Sequence, residues 1–240
     1  MNRFSRTENL IGTEKVKKLA NCKVAVFGIG GVGSFVCEAL ARGGIGSLDL
    51  YDNDTVDITN INRQLIALES TVGKYKTDVM RDRITDINPS AAVTSNILFI
   101  TNESEDKICF EKLDYIVDAV DNVTAKIFLA QMANKYNIPI ISAMGAGNRL
   151  DAENFKIAPI EKSSGCPLAR VMRLELRKRG IKGVKAAFSD KPALKPLGNE
   201  VRNTSNRPAP ASISFVPSVM GLLIAGEVIK DLISDEGGER

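Results

Sequence analysis

Three stretches of this chain bring together glycines, carboxylates and cations at spacings that can do chemistry. The first is Gly28-Ile29-Gly30-Gly31-Val32-Gly33, a G-x-G-x-x-G hexapeptide. Glycines so spaced allow a tight turn and a close backbone approach to phosphate. A helix starting there adds unpaired N–H groups and a favourable dipole. Asp52 follows Gly33 by nineteen residues, where a carboxylate at the end of a second strand can accept both hydroxyls of a ribose. By itself this pair reads as an adenine nucleotide site and leaves NAD and ATP open.

The second stretch separates them. It runs Asp52-Asn53-Asp54-Thr55-Val56-Asp57-Ile58-Thr59-Asn60-Ile61-Asn62-Arg63-Gln64, followed by Gly73-Lys74-Tyr75-Lys76. Hydride transfer needs no cations beyond the ribose. A triphosphate does, because its charge must be neutralised before an anionic carboxylate can attack phosphorus. Arg63 can fork onto phosphate oxygens, and Lys76 can act as a mobile point charge. The third stretch is Asp118-Ala119-Val120-Asp121-Asn122. It lies at the C-terminal end of the fourth strand, at the edge of an open α/β sheet where ligands gather, and a carboxylate there can hold Mg²⁺ against phosphates. The competing role for this stretch is to cap the helix that follows.

The elements that must position these groups alternate in period. Strands are expected at Lys23–Phe27, Leu48–Tyr51, Ala92–Ser95, Tyr115–Val120, Pro139–Ala143 and Phe155–Ala158. Helices are expected at Ser34–Arg42, Lys74–Ile87, Thr124–Tyr136, Pro167–Arg179 and Ser218–Ile233. The alternation predicts a Rossmann-like α/β fold: a mainly parallel sheet with helices on both faces, a C-terminal excursion and a closing helix. Residues 180–211, rich in proline and charge, read as a long excursion or as partly disordered.

At 240 residues the chain suits a single domain, 1–240, with a core that needs no staple. It has no histidine, which excludes a histidine base or a histidine-ligated metal from its own residues. Cys22, Cys37, Cys109 and Cys166 form no C-x-x-C pair, so neither a disulfide framework nor a zinc knuckle is indicated, and a reducing cytoplasm is expected. Cys22 and Cys37 read as small core residues. Residues 1–10 lack the apolar core of a signal peptide, and the apolar run Phe215–Ile224 is too short to cross a bilayer. Within the net charge of +3, residues 149–207 contain fourteen Lys or Arg and six Asp or Glu, 14 − 6 = +8, leaving −5 elsewhere. A basic region at 149–211 can face a polyanion such as tRNA, or be a solvated surface.

Together these residues resemble the ubiquitin-activating-type superfamily, with its adenylating enzymes of molybdopterin and thiamine synthesis. The likeness rests on Arg3-Phe4-Ser5-Arg6, the glycine turn, the Asp52–Gln64 string, Asp121-Asn122 and the late Ala225-Gly226-Glu227-Val228-Ile229-Lys230. The resemblance implies that Asp52 binds ribose, and that Thr59, Asn60, Asn62, Arg63 and Gln64 line the phosphates of ATP. It implies that Lys76 contacts those phosphates and that Asp121, beside Asn122, binds Mg²⁺. It also implies that Arg6 reaches the ATP of a second protomer, hence a homodimer. The usual zinc-binding cysteine pairs of the sulfur-carrier activators are missing.

The second half resembles the tRNA threonylcarbamoyladenosine dehydratases through Gly145-Ala146-Gly147-Asn148-Arg149-Leu150-Asp151, Cys166-Pro167-Leu168-Ala169-Arg170, Arg177-Lys178-Arg179 and Ser212-Ile213-Ser214-Phe215-Val216-Pro217-Ser218. That likeness implies adenylation of a threonyl carboxylate beside the tRNA anticodon, then cyclisation with loss of AMP. A neighbouring oxygen of the same group attacks, so no enzyme nucleophile is required. Cys166, alone among the cysteines on this side, is read as packing. The rival readings are an activator of a ubiquitin-like sulfur carrier, an inactive nucleotide-binding scaffold and, last, a dehydrogenase. A sulfur-transfer protein is left open as a partner.

Overall fold

The first strand, β1 (Lys23–Phe27), is buried on both sides: Val24 and Val26 face one hydrophobic cluster, Ala25 and Phe27 the other. Such a strand belongs at the centre of a sheet covered by helices on both faces. The computed structural model, which describes residues 2–198 and 210–234, shows that sheet. Its other strands are β2 (Ser47–Tyr51), β3 (Ala92–Asn96), β4 (Tyr115–Asp118), β5 (Ile140–Ala143), β6 (Phe155–Pro159) and β7 (Lys185–Ser189). They lie in the order β3-β2-β1-β4-β5-β7-β6. Every neighbouring pair is parallel except β6 with β7.

The helices are α1 (Ser5–Ile11), α2 (Thr13–Asn21), α3 (Gly33–Gly43), α4 (Lys76–Ile87), α5 (Val123–Lys135), α6 (Pro167–Lys178) and α7 (Phe215–Ile233). Residues of α2, α3, α4 and α7 fill the cluster on one face, and those of α5 and α6 the cluster on the other. The chain runs outward from β1 to β3, then returns to place β4 on the opposite side of β1. The crevice between β1 and β4 is therefore the switch point where open α/β sheets bind ligands.

The structure departs from the sequence reading in five places, one of them α7, which begins at Phe215 rather than Ser218. Residues 185–189, expected within an excursion, form β7, whose Ala186 and Ala187 are buried between β5 and β6. The part of that excursion at 199–209 lies outside the described residues. The polar N-terminus folds into α1 and α2, and Val16 and Leu19 bury the inner face of α2. α4 begins at Lys76 rather than Lys74, because Tyr75 is extended and pairs with Thr55. β4 ends at Asp118 rather than Val120: the Val120 N–H turns back to the Asp118 carboxylate, 3.2 Å away.

α7 crosses α3 closely. A Cβ on Gly221 would stand 2.5 Å from the Val32 carbonyl oxygen, and one on Gly31 would stand 3.2 Å from Pro217. The closing helix thus braces the glycine turn. Among the described residues no helix is long and apolar enough to cross a membrane.

Candidate active site

The glycine turn joins β1 to α3, and two of its glycines are sterically required. Gly28 has φ +86°, and a Cβ there would lie 2.6 Å from the Ala119 carbonyl oxygen; one on Gly33 would lie 1.8 Å from the Gly28 carbonyl oxygen. Gly28 N–H donates to the Tyr51 carbonyl at 2.8 Å. Ile29 N–H donates to Asp52 at 2.6 Å. The N–H groups of residues 30–33 have no acceptor among the described residues. Such a row at the start of a helix is a ready site for phosphate.

Asp52 closes β2 beside this turn. Its second oxygen accepts from Asp54 N–H at 2.9 Å. Burial raises its pKa, while nearby Lys76 and the two N–H donors oppose the rise. Lys76 begins α4 and is only 6% exposed. Its ammonium meets the Asp54 carboxylate at 2.7 Å, and that carboxylate is 60% exposed. A buried cation balanced by a solvent-facing, movable anion can exchange that anion for a phosphate.

Arg63 and Gln64 approach the turn from the following loop. The side chain of Arg63 lies 3.6 Å from where a Gly31 Cβ would be, and that of Gln64 lies 3.8 Å from the Gly30 position. Arg63 donates to the Thr59 carbonyl at 2.8 Å and to Asn62 Oδ1 at 2.9 Å. No carboxylate among the described residues neutralises it, and burial lowers its pKa. Gln64 Oε1 is buried without a hydrogen-bond partner.

Asn60 is buried, and Thr59 beside it is exposed. Thr59 donates its hydroxyl to Asp57 at 2.6 Å, and Asn60 Oδ1 accepts from Asp57 N–H at 3.2 Å. They shape the loop that presents Arg63. Asn62 Nδ2 bonds the Ser212 carbonyl at 3.1 Å, tying the loop to the segment before α7.

Asp121 lies in the loop after β4 and is exposed. The capping role belongs to Asn122, whose Oδ1 accepts from Thr124 N–H at 2.8 Å and Ala125 N–H at 3.3 Å. Asp121 is therefore left available. Among the described residues no three acidic or thiol groups gather as a metal cage, and one carboxylate beside phosphates is an arrangement Mg²⁺ readily takes.

Arg6 stands apart from this group. Its neighbour Phe4 packs 3.5 Å from the Cβ position of Gly44, just past the end of α3 remote from the glycine turn. α3 has 11 residues, about 16 Å at 1.5 Å per residue. Arg6 is exposed and does not join the site of its own chain.

The basic region is less cationic at its surface than its composition suggests. Arg149 is buried and holds the Gly145 carbonyl, Ser189 and the Lys191 carbonyl. Lys185 is bound to Glu227 and Asp231, Arg173 to Ser163, and both Lys178 and Arg179 to Glu175. Lys162, Arg170, Arg177 and Lys182 remain exposed around α6. Cys166 is buried at the start of α6 in the same cluster as Met172 and Leu176, consistent with packing.

Two residues escaped the sequence reading, Lys126 and Ser142, which join Asp118 of the third stretch. Asp118, Lys126 and Ser142 form a buried cluster directly beneath the site. Besides Asp118, a lysine in the middle of an apolar helix was the only trace of this cluster.

With this geometry in view, the chain can be set beside known proteins. The model of the ThiF family matches residues 4–239. A tRNA threonylcarbamoyladenosine dehydratase of Bacillus subtilis is 47% identical, over 98% of this chain and 96% of the relative. The crystal structure of E. coli tRNA N6-threonylcarbamoyladenosine dehydratase in complex with ATP superimposes with a TM-score of 0.87 at 31% identity, covering 96% of this chain and 93% of that one. An adenylyltransferase and sulfurtransferase of Vanderwaltozyma polyspora is 36% identical, over 62% of this chain and 34% of the relative.

Proposed function

The chain belongs to the ThiF family, and from that premise we propose that it is an ATP-dependent tRNA threonylcarbamoyladenosine dehydratase. The observation that carries the reading is the row of N–H groups at residues 30–33, without an acceptor among the described residues, beside Arg63, which has no carboxylate partner among them. The Bacillus subtilis relative of that name matches 98% of the chain, whereas the sulfurtransferase matches under two thirds of it.

In this reading Asp52 holds the ribose, the glycine turn and Gln64 cradle phosphate, and Arg63 and Lys76 neutralise it. Neutralisation lets the carboxylate of the modified adenosine approach the α-phosphorus. A carboxylate oxygen bonds to that phosphorus and pyrophosphate leaves, giving an acyl adenylate. A neighbouring oxygen of the same group then attacks the acyl carbon, and AMP departs with one of the original carboxylate oxygens. Asp121 would hold Mg²⁺, which supplies positive charge against the phosphates when bound.

The distance of Arg6 from its own glycine turn supports action across a homodimer. The exposed cations around α6 support contact with the anticodon stem-loop of tRNA, largely through phosphates. A reducing cytoplasm suits three buried, unpaired cysteines.

The test is incubation of the purified protein with ATP, Mg²⁺ and tRNA carrying the open threonylcarbamoyl group, followed by nucleoside mass spectrometry. The reading predicts the cyclic nucleoside with matching amounts of AMP and pyrophosphate. AMP formed only with a ubiquitin-like carrier ending in Gly-Gly would overturn it in favour of the sulfur-carrier activator.

A further inference from the structure

The cluster beneath the site is an ion pair withdrawn from water: Lys126 is 1% exposed and Asp118 0%. Lys126 Nζ donates to Asp118 Oδ1 at 3.1 Å, to Oδ2 at 3.2 Å, to Ser142 Oγ at 3.3 Å and to the Ala143 carbonyl at 2.7 Å. Ser142 in turn donates to Asp118 Oδ2 at 2.5 Å. Burying a charged pair is a poor route to stability, because loss of hydration offsets much of the attraction. What this pair does supply is geometry.

Asp118 is the last residue of β4, and Lys126 lies one turn into α5. Their contact closes residues 118–126 into a ring, with Asp121 exposed on it. The ring is pinned on both sides of Asp121, by Val120 N–H on Asp118 and by the Asn122 cap. Its Ala119 carbonyl lies against Gly28 of the phosphate turn. Through Ser142 and the Ala143 carbonyl, Lys126 also ties the ring to the end of β5. The strand end, the metal-facing loop and the glycine turn therefore share one buried joint.

We infer that Lys126, with Asp118 and Ser142, is a positioning residue that holds the Asp121 carboxylate in register with the phosphate turn. This rests on the reading of Asp121 as the group that holds the metal. The joint touches neither nucleotide nor metal. Loosening it should weaken metal binding and turnover while sparing the affinity for ATP itself.

The test compares the parent with Asp121→Ala, with the double variant Asp118→Asn/Lys126→Met, which removes both buried charges together, and with Ser142→Ala. Melting temperature, ATP affinity without metal, Mn²⁺ binding to the ATP complex by electron paramagnetic resonance, and kcat and KM for AMP formation are measured for each. A folded double variant should show ATP affinity and KM within twofold of the parent, Mn²⁺ half-saturation raised at least fivefold, and kcat reduced at least tenfold. Unchanged Mn²⁺ binding and kcat, with Asp121→Ala impaired, would overturn the inference and leave the role of Asp121 standing. Parent-like Mn²⁺ binding in Asp121→Ala would overturn both. Should the double variant not fold, Ser142→Ala decides: a Mn²⁺ half-saturation raised more than twofold supports the joint, and an unchanged value refutes it.

Discussion

Replacement of Arg63 by Met separates a catalytic cation from a structural one, because the two make opposite forecasts for stability and turnover. In the structure the guanidinium has two neutral acceptors, at 2.8 and 2.9 Å, and no carboxylate among the described residues. Losing these half-exposed bonds costs about 1 kcal/mol, and removing a partly buried, unneutralised charge returns part of it. The unliganded melting temperature should therefore move by only about 2–4 °C. The loss against a triphosphate is larger. At about 4 Å and an effective dielectric constant of about 20, one unit charge pair amounts to about 4 kcal/mol, or roughly a thousandfold in rate. Since Lys76 remains, a kcat for AMP formation lowered by about 10²–10³ is expected. The stabilisation on adding ATP, seen as a rise in melting temperature, should also shrink, by about 1.4 kcal/mol for each tenfold loss of affinity. The assays are AMP release under saturating tRNA, and calorimetry with and without ATP. Turnover within threefold of the parent would refute the reasoning. So would a collapse of the unliganded fold with normal turnover per folded molecule, since Arg63 would then be a structural residue.

Other outcomes follow from the same geometry. Inactive Arg6→Ala and inactive Asp121→Ala should regain partial activity when their subunits are exchanged, because one mixed site keeps both groups; mixtures that stay inactive after verified exchange would remove Arg6 from any site. Replacing Arg177, Lys178 and Arg179 together by Gln should leave ATP binding intact, weaken tRNA binding and flatten its salt dependence by roughly 0.7–0.9 per lost phosphate contact, measured by filter binding across a salt series. An unchanged slope would make the end of α6 a solvated surface. Glu38, which joins α3 to α4, gives a pH signature. Burial pushes its pKa up, but Arg83 and Arg42 outweigh that and hold it below the usual carboxylate range. A depressed carboxylate stabilises the fold above the unfolded pKa of about 4.3, and that contribution is lost as pH falls through the lower folded value. Glu38→Gln should therefore cost about 1 kcal/mol at pH 7, discounted because Arg83 is 39% exposed. In denaturant titrations the gap should close in acid; a gap independent of pH would contradict the assignment.

The parts of the site legible in the sequence were those whose chemistry constrains residue type locally. Gly28 and Gly33 have no room for a side chain, so a phosphate turn shows as a spaced run of glycines. Asp52 and Lys76 stand where strand and helix periodicity place them. What was hidden depends on contacts distant along the chain. β7 reads Lys185-Ala186-Ala187-Phe188-Ser189, a short pattern that becomes a strand only once β5 and β6 flank it. α1 and α2, of 7 and 9 residues, are too short for their periodicity to stand out. The joint of Asp118, Lys126 and Ser142 spans 24 residues, and only the pairing of β4 with β5 brings it together. Composition also overstated the cations open to RNA, since Arg149, Arg173 and Lys185 turn out to be internal ties.

Carboxylate adenylation is tested most directly by following an oxygen atom. The carboxylate of the threonylcarbamoyl group is labelled with ¹⁸O, the modified tRNA is incubated with the protein, ATP and Mg²⁺, and the AMP released is analysed by mass spectrometry. The proposed chemistry predicts one ¹⁸O in the phosphate of each AMP formed, because that oxygen bonds to the α-phosphorus and leaves with it. AMP without the label would show that the carboxylate never attacked phosphorus, and would contradict the proposed reaction.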